Sequence, residues 1–324
     1  MQMKYQDRTK DLRRRLTKHK REPAQFAVPA KIRNFSWEFF PTAFGGSQNP
    51  GMRRSIPVTR RVGGMVKSCQ CNGESNLTMS GKAMVCLVLT LLLAAGGAQA
   101  VECASNALNS GTVTVCRVDL LREQLQLFWR DDAGQPYGQF SALRDALVKR
   151  GKTLEFAMNG GMYKPDLSPV GLFVADEREL VPLNRHTGPG NFSQQPNGVF
   201  LLDVHGARVL TTDEYWREKP KPFLATQSGP MLVHQGELTT SPVMNPESQS
   251  RRIRNGVCAP SPESAVFVIS EAPVTFHEFA VYFRESLRCS EALYLDGSIS
   301  SLYAPRLGRT DHWSSMGPII GVTK

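Results

Sequence analysis

The chain has 324 residues, 41% of them hydrophobic and 21% charged, and a formal net charge of +10. The charge is uneven, because 17 of its 39 Lys and Arg but 5 of its 29 Asp and Glu lie in residues 1–100, which gives +12 there and −2 in residues 101–324. The basic excess that would favour a nucleic-acid partner therefore belongs to the first hundred residues, and no nucleic acid is expected to bind the remainder.

Residues 1–78 lack the pattern of a folded domain. They combine a basic run, KDLRRRLTKHKR, with a stretch rich in Gly, Pro and Arg, and they have no apolar periodicity long enough to bury a core. We expect this region to be disordered, or to lie upstream of the true start of translation at Met79. The alternatives are a basic arm for nucleic acid or an anionic membrane, and a long leader or signal anchor with a basic tail.

Residues 79–100, MSGKAMVCLVLTLLLAAGGAQA, have the layout of a secretory signal peptide. A lysine precedes a mainly apolar run of 13 residues from Ala83 to Ala95, and the tripeptide AQA at 98–100 supplies small residues for cleavage. The run is shorter than the roughly 20 residues that a membrane span needs. We therefore expect a periplasmic or secreted mature protein of residues 101–324, with no stable membrane span after signal cleavage.

Cysteine usage agrees with export. Residues 101–324 contain four of the seven cysteines, Cys103, Cys116, Cys258 and Cys289. An even number in an oxidising compartment favours disulfides, and we expect Cys103 to pair with Cys116 and Cys258 with Cys289, although four cysteines allow three connectivities. The alternative is four buried free thiols. No Cys or His spacing typical of a zinc site occurs.

Short apolar segments bounded by Gly, Pro or Asn predict many strands in residues 101–324. Two segments, VFLLDVHGARVL and PMLVHQGELTT, are typical of hairpins with turns at 205–207 and 235–236. Many strands with few helices predict one α+β domain of mixed, mainly antiparallel β-sheets with a few flanking helices. The predicted strands, in chain order, are 112–120, 124–129, 153–158, 171–175, 198–203, 223–227, 231–234, 256–258, 265–270, 292–295 and 319–322.

Two helices are predicted. Residues 140–150, FSALRDALVKR, have apolar residues at helical spacing and end at Gly151 with basic residues in the last turn. Residues 276–288 follow Thr275, and Thr275 and Glu278 have the spacing of a capping box. The second helix is followed by the strand that ends in the sequence LDGS.

Several common catalytic signatures are missing. The sequence has no GxGxxG, GxxxxGK[ST], HExxH or GxSxG, which removes most support for dinucleotide, nucleoside triphosphate, zinc-protease and α/β-hydrolase chemistry. The six His residues do not occur at metal-ligand spacing. No cofactor is required on this evidence, a divalent metal is compatible with it, and no metal ligand is identified.

Polar clusters occur at the ends of six apolar segments. A strand that ends on Asn, Asp or Arg and continues with Gly presents a polar side chain beside accessible backbone N–H groups, and Gly lets a ligand come close. One such cluster is an ordinary turn, but six of them indicate one shared cleft. They are FAMNGGMY (Asn159, Gly160, Gly161), SPVGLFV (Gly171), QQPNGVF (Asn197, Gly198), TQSGPMLV (Ser228, Gly229), RRIRNGV (Arg252, Arg254, Asn255, Gly256) and YLDGSISS (Asp296, Gly297, Ser298, Ser300).

In this order, and over residues 110–324, these clusters resemble the phosphodiester glycosidase family, which includes the enzyme that uncovers mannose-6-phosphate by removing N-acetylglucosamine from a phosphodiester. Members typically carry an NG-aromatic element, an SGGP-like turn, an RTxxG-like strand and an LDGGGSS-like end. The chain has NGG at 159–161, QSGP at 227–230, RNGVC at 254–258 and DGSISS at 296–301 in those places. Ser298-Ile299 replaces two glycines and Cys258 replaces a common glycine, which suggests a narrower bacterial subfamily with its own substrate.

The resemblance implies cleavage of a bond between a sugar C1 and a phosphate oxygen. A phosphate monoester leaves readily, so the site needs a carboxylate near the anomeric carbon, as nucleophile or as base for water. It also needs a cation and N–H donors for the phosphoryl oxygens. We expect Asp296 to be the carboxylate and Arg254 to hold the phosphate. Glu271 is the candidate for a second carboxylate, because the capping box already explains Glu278.

Ten further residues, all in the clusters, are expected to bind the substrate. The asparagines would contact sugar hydroxyls or orient Asp296, the glycine backbone would line the cleft, and the serines at 298 and 300 would bond the phosphate. A structural alternative is that Asp296 caps a turn, Arg254 is its salt-bridge partner and Ser300 closes another turn. The ten are Asn159, Gly160, Gly161, Asn197, Ser228, Gly229, Asn255, Gly297, Ser298 and Ser300.

We therefore expect an exported hydrolase that cleaves a sugar-1-phosphodiester in envelope or extracellular glycans, with a phosphorylated carbohydrate as its partner. The alternative is a non-catalytic envelope protein that binds glycans in the same cleft.

Overall fold

The computed structural model describes residues 101–324. The expectations for residues 1–78 and for a signal peptide at 79–100 lie outside the described residues. Among residues 101–324, no helix is long and apolar enough to cross a membrane.

The described part of the chain contains seventeen strands. All eleven strands predicted from apolar segments are present with small shifts of their ends, and both predicted hairpins form. The strands are β1 Val101–Leu108, β2 Gly111–Asp119, β3 Gln124–Phe128, β4 Leu154–Asn159, β5 Phe173–Ala175, β6 Arg178–Val181, β7 Gly198–Asp203, β8 Gly206–Thr211, β9 Leu224–Ser228, β10 Met231–His234, β11 Glu237–Leu238, β12 Asn255–Ser261, β13 Ser264–Ser270, β14 Ala292–Asp296, β15 Leu302–Ala304, β16 Arg309–Thr310 and β17 Ile319–Thr323.

The strands form three sheets in which every pairing is antiparallel. The seven-stranded sheet has the order β1-β2-β13-β12-β14-β10-β11, one five-stranded sheet has the order β16-β15-β4-β17-β3, and the other has the order β6-β5-β9-β7-β8. β1, β6, β15 and β16 escaped prediction. β1, β6 and β16 are edge strands with one partner each, so much of their surface stays in water and they carry few apolar residues. β15 is a buried interior strand, but its three residues are too few to show a periodicity.

Within residues 101–324, three α-helices accompany the sheets: α1 Phe140–Lys149, α2 Thr212–Glu218 and α3 Phe276–Val281, the last followed by a π-helical turn over Tyr282–Ser286. The capping box predicted for α3 is confirmed, because Thr275 Oγ1 accepts from Glu278 N–H and Glu278 Oε2 accepts from Thr275 N–H. α2 was not predicted, although Thr211 and Glu214 form the same motif. The prediction of mainly antiparallel sheets with a few helices is confirmed.

The main core lies where the three sheets face one another. Phe267 of the seven-stranded sheet contacts Phe156 of one five-stranded sheet and Phe200 of the other, with ring centroids 5.3 and 5.9 Å apart. All three side chains are fully buried. Burying a phenylalanine contributes about 2–3 kcal/mol, so this contact alone makes a substantial link between the sheets.

Both predicted disulfides are present. Cys103 and Cys116 are paired residues of β1 and β2, with a Cα–Cα distance of 4.0 Å. Cys258 of β12 bonds Cys289, which lies just before β14, with a Cα–Cα distance of 6.2 Å. The second disulfide thus joins the two strands that carry Asn255 and Asp296.

Candidate active site

Three strands of the seven-stranded sheet bring site candidates to one edge. β12 is antiparallel to both β13 and β14, so the start of β12 lies beside the ends of β13 and β14. Asn255 is paired with Ile269 of β13 on one side and with Asp296 of β14 on the other. We call this edge, formed by residues 254–255, 270–271 and 296–300, the site edge.

Asp296 is held in an almost buried position at the site edge, with 5% of its surface exposed. Its Oδ1 accepts hydrogen bonds from the backbone N–H groups of Gly297, at 2.6 Å, and Ser298, at 2.9 Å. Burial raises the pKa of Asp296, and the backbone hydrogen bonds of Ser298, Gly297 and Ile299 oppose that rise. Both of these hydrogen bonds go to Oδ1.

Two buried asparagines fix the backbone of Asp296. Asn255 Oδ1 accepts from the N–H of Asp296 at 3.0 Å, and Asn255 Nδ2 donates to Asn159 Oδ1 at 3.0 Å. Asn159 Oδ1 also accepts from the N–H of Ser301 at 2.9 Å. Both asparagines are 0% exposed. Of the two predicted roles, this geometry supports orientation of Asp296 rather than contact with sugar hydroxyls.

Arg254 is a buried guanidinium with 1% of its surface exposed. It donates from Nε to Val274 O and from Nη2 to Ser250 O, each at 2.9 Å, and from Nη1 to Tyr294 Oη at 3.2 Å. It also lies 3.6 Å over the ring of Phe276. Burial lowers the pKa of Arg254, and no acidic residue of 101–324 forms an ion pair with it. The alternative of an Arg254–Asp296 salt bridge is therefore absent from the structure.

Gly297 brings the turn after Asp296 against Arg254. A Cβ at residue 297 would collide with Tyr294 Oη and would lie 3.5 Å from Arg254 Nη1. Glycine is thus required here for close approach. The carboxylate-bearing turn and the guanidinium are consequently neighbours, connected through the Tyr294 hydroxyl.

The serines of this turn have different environments. Ser300 Oγ lies 2.9 Å from the backbone carbonyl oxygens of both Ile253 and Asp296, so its single hydroxyl proton is engaged by one of them in closing the turn. Ser298 is exposed and supplies its backbone N–H to Asp296. Ser301, which was not predicted, has a buried Oγ without a hydrogen-bond partner.

One five-stranded sheet reaches the site edge through the end of β9. Ser228 is fully buried, and its Oγ donates to the carbonyl of Leu295 at 2.8 Å. Gly229 packs so tightly that a Cβ there would lie 2.6 Å from Asn197 Cβ. Asn197 donates from Nδ2 to Phe192 O at 2.9 Å, while its buried Oδ1 has no partner.

The other five-stranded sheet reaches the site edge through the end of β4. Asn159 ends this strand and is followed by Gly160 and Gly161, both buried. The backbone of Gly160 is engaged on both sides, because its N–H donates to Pro318 O and its carbonyl accepts from Thr226 Oγ1, each at 2.7 Å. Gly160 therefore joins two sheets at the site, and its N–H is not free for a ligand.

Glu271 lies on the site edge but turns away from Asp296. Its Oε1 accepts from Thr114 Oγ1 at 2.5 Å and from Arg309 Nη1 at 2.6 Å. Thr114 belongs to β2, which lies on the side of β13 opposite to β14. The structure does not join Glu271 to Asp296, and a role as second carboxylate stays a prediction.

Tyr163 is a neighbour of Asp296 that the sequence analysis missed. Burial, and secondly the charge of Asp296, raise the pKa of Tyr163 to about 12. Its hydroxyl donates to Ser315 O at 2.8 Å. The tyrosine stands in the predicted NGGMY cluster, but only the fold shows that it meets both the Asp296 turn and residues 311–316. Within residues 101–324, no group of three or more His, Cys, Asp or Glu is arranged to hold a metal ion.

The sequence of the chain matches the model of a known protein family. The phosphodiester glycosidase family matches residues 152–315, which is half of the chain and contains every predicted site residue except the first disulfide. Its members are hydrolase-like proteins that act on glycosidic phosphodiesters. The chain belongs to the phosphodiester glycosidase family.

One relative supports this assignment, and one solved structure shares the fold. The uncharacterized protein YigE of Escherichia coli (strain K12) is 34% identical over 233 residues, covering 71% of this chain and 88% of that protein. The catalytic domain of zebrafish N-acetylglucosamine-1-phosphodiester alpha-N-acetylglucosaminidase, auto-inhibited by its pro-peptide, shares the fold with a TM-score of 0.51 and 12% identity, over 70% of this chain and 84% of that one.

Proposed function

We propose that the protein is an exported hydrolase that cleaves the C1–O–P bond of a sugar-1-phosphodiester in an envelope or extracellular glycan. The proposal rests on the presence, at the same site edge, of the almost buried carboxylate of Asp296 and the buried guanidinium of Arg254. They form no salt bridge with each other, and Arg254 has no acidic partner in residues 101–324. A buried cation without a counter-ion is costly, and a phosphoryl group would supply the missing negative charge.

The proposed roles follow from the remaining bonding capacity of each group. Asp296 acts through Oδ2, as nucleophile at the anomeric carbon or as base for water, because Oδ1 is held by two amides. Arg254 has five N–H donors and uses three on protein groups, which leaves two for phosphoryl oxygens. Since Arg254 is 1% exposed, its contact with phosphate requires the turn at 297–300 to shift.

Export is supported by two independent features. Residues 79–100 have the pattern of a signal peptide, and residues 101–324 contain two disulfides, which persist in oxidising compartments. A periplasmic or secreted glycan is therefore the substrate that the protein would meet.

The test is hydrolysis of sugar-1-phosphodiesters by the purified protein, with and without chelator. Wild type should release the sugar, and Asp296→Asn should reduce release by a factor of at least about 1000. Asn keeps an oxygen at Oδ1 for the two amides, so the variant should retain the fold, as circular dichroism and thermal unfolding would show. Undiminished turnover by Asp296→Asn would remove the carboxylate from the mechanism.

A glycan-binding protein without activity is the second candidate. It is favoured by Glu271, whose bonds to Thr114 and Arg309 leave Asp296 without a second carboxylate beside it. Binding of glycan phosphodiesters with no turnover of any of them would select this candidate.

A further inference from the structure

Residues 311–316, which we call the rim loop, are fixed at both ends beside the candidate active site. Asp311 Oδ2 accepts from the N–H of Leu302 at 2.9 Å and from Arg309 Nη2 at 2.8 Å. At the other end, Ser315 O accepts from Tyr163 Oη at 2.8 Å, and the N–H of Met316 donates to Gly138 O at 2.7 Å. Hydrogen bonds therefore anchor the loop at both ends.

Between these anchors the rim loop carries a stacked aromatic pair on its outside. The rings of His312 and Trp313 are 5.2 Å apart with an interplanar angle of 18°, and Trp313 is 78% exposed. Because the Trp313 indole is exposed, it does not stabilise the fold through burial in the core. His312 covers one face of the indole, and no ring contact or cation of residues 101–324 covers the other.

The two other tryptophans in the described residues each have a cation over the ring. Trp129 is 9% exposed and stacks against Arg130, whose guanidinium lies 3.8 Å from the ring. Trp216 is 49% exposed, but Arg185 lies over its ring at 4.6 Å and Lys219 at 5.7 Å. Trp313 is thus the tryptophan of residues 101–324 that offers an aromatic face without a cation upon it.

The rim loop is anchored to two residues, Tyr163 and Leu302, that lie near the candidate carboxylate in space or along the chain. Tyr163, which holds the loop at Ser315, is close enough to Asp296 for the charge of that carboxylate to raise its pKa. Leu302, which holds the other end, begins β15 directly after the turn that follows Asp296. A sugar bonded at Asp296 therefore has the rim loop as a neighbour, and a second sugar unit would extend toward it.

We propose that Trp313, backed by His312, is a stacking platform for a pyranose unit beyond the one whose C1–O bond is cleaved, so that the substrate class is an oligosaccharide or polysaccharide phosphodiester. This inference rests on the proposed function for its location. One face of a pyranose ring consists of C–H groups, which pack well on the negative face of an indole. The hydrogen bonds at both ends of the loop reduce the conformational freedom that binding would otherwise remove.

The test compares binding of maltotetraose, of the tetrasaccharide of N-acetylglucosamine, and of the two monosaccharides by calorimetry. Wild type should bind at least one tetrasaccharide more tightly than its monosaccharide. Trp313→Ala should weaken that binding by about tenfold, and Trp313→Phe should restore part of it. Trp216→Ala is the matched control and should bind as wild type does. Absence of tetrasaccharide binding, or equal binding by Trp313→Ala, would overturn the proposal.

Hydrolysis separates failure of the platform from failure of the proposed function. With a phosphodiester of an oligosaccharide, Trp313→Ala should raise KM about tenfold, while kcat/KM for a phosphodiester of a single sugar should not change. Equal KM values of wild type and Trp313→Ala for the oligosaccharide phosphodiester would reject the platform without contradicting the proposed hydrolase activity. Loss of tetrasaccharide binding in a protein that hydrolyses nothing would support the platform and reject the hydrolase.

Discussion

At the scale of single residues, the candidate carboxylate Asp296 is almost buried, and its burial shifts its pKa. Burial of a carboxylate disfavours its ionised form, and the amides of Gly297, Ser298 and Ile299 restore part of the lost solvation. The balance leaves the pKa above its usual value of 3.8. Ionisation of Asp296 therefore lowers the free energy of unfolding.

This balance gives a test that needs no substrate. Because the pKa of Asp296 is higher in the folded than in the unfolded state, the folded protein binds more protons, and its stability should fall as pH rises through the raised pKa. Asp296→Asn removes the ionisation. Its Tm relative to wild type should therefore increase from acid to neutral pH, measured by scanning calorimetry at several pH values. A Tm difference that stays constant or decreases over this range would contradict the raised pKa.

The sequence singled out candidate site residues but not the bonds that define their surroundings. Asp296 was chosen because it ends a strand and is followed by Gly297, and Arg254 because it stands in the sequence RNG, two residues before Gly256. Tyr163 and Tyr294 were not, since their importance comes from contacts with residues far along the chain. Glu271 was chosen as an unexplained carboxylate next to a strand, and only the fold shows its bonds to Thr114 and Arg309.

At the scale of elements, strands with continuous apolar runs were predictable, whereas very short strands and largely polar edge strands such as β1 were not. β13 and β14 are buried on both faces and contain few polar residues. β1 has the sequence VECASNAL, with most residues partly or fully exposed, and its position depends on pairing with β2 and on the disulfide of Cys103. Local composition could not supply that long-range information.

The two capped helices offer a matched pair of substitutions. Thr275→Ala and Thr211→Ala each remove a capping box and should lower the free energy of unfolding by about 1 kcal/mol. Thr275 stands between Val274 and Phe276, which both contact Arg254, so Thr275→Ala should also reduce kcat/KM. Urea unfolding and sugar release measure the two effects. Equal loss of activity in both variants would show that the effect is one of general stability.

At the scale of the whole described part, the site is also a junction between sheets. Asn159 belongs to a five-stranded sheet, Asn255 belongs to the seven-stranded sheet, and Ser228 belongs to the remaining sheet. Ser228 donates to the carbonyl of Leu295, Asn255 accepts from the N–H of Asp296, and Asn255 donates to Asn159. Stability and function are therefore expected to be coupled at these positions.

A double-mutant cycle on the asparagines tests this coupling. Asn159→Ala and Asn255→Ala each leave a buried polar partner unsatisfied and should each cost about 1–3 kcal/mol. Since each removes the same contact, the double variant should lose less than the sum of the single losses, by about 1 kcal/mol. Urea unfolding of the four proteins measures the difference. Strict additivity would mean that the two sheets are held together independently of this pair.

The bond between Cys258 and Cys289 has a practical consequence for any laboratory that makes this protein. It ties β12, which carries Asn255, to residue 289, three residues before β14, which carries Asp296. Recombinant material from a reducing bacterial cytoplasm, or an assay buffer that contains dithiothreitol, would supply molecules without it. A failed activity test on such material would not count against the proposed function, so the first purification should start from an oxidising host compartment.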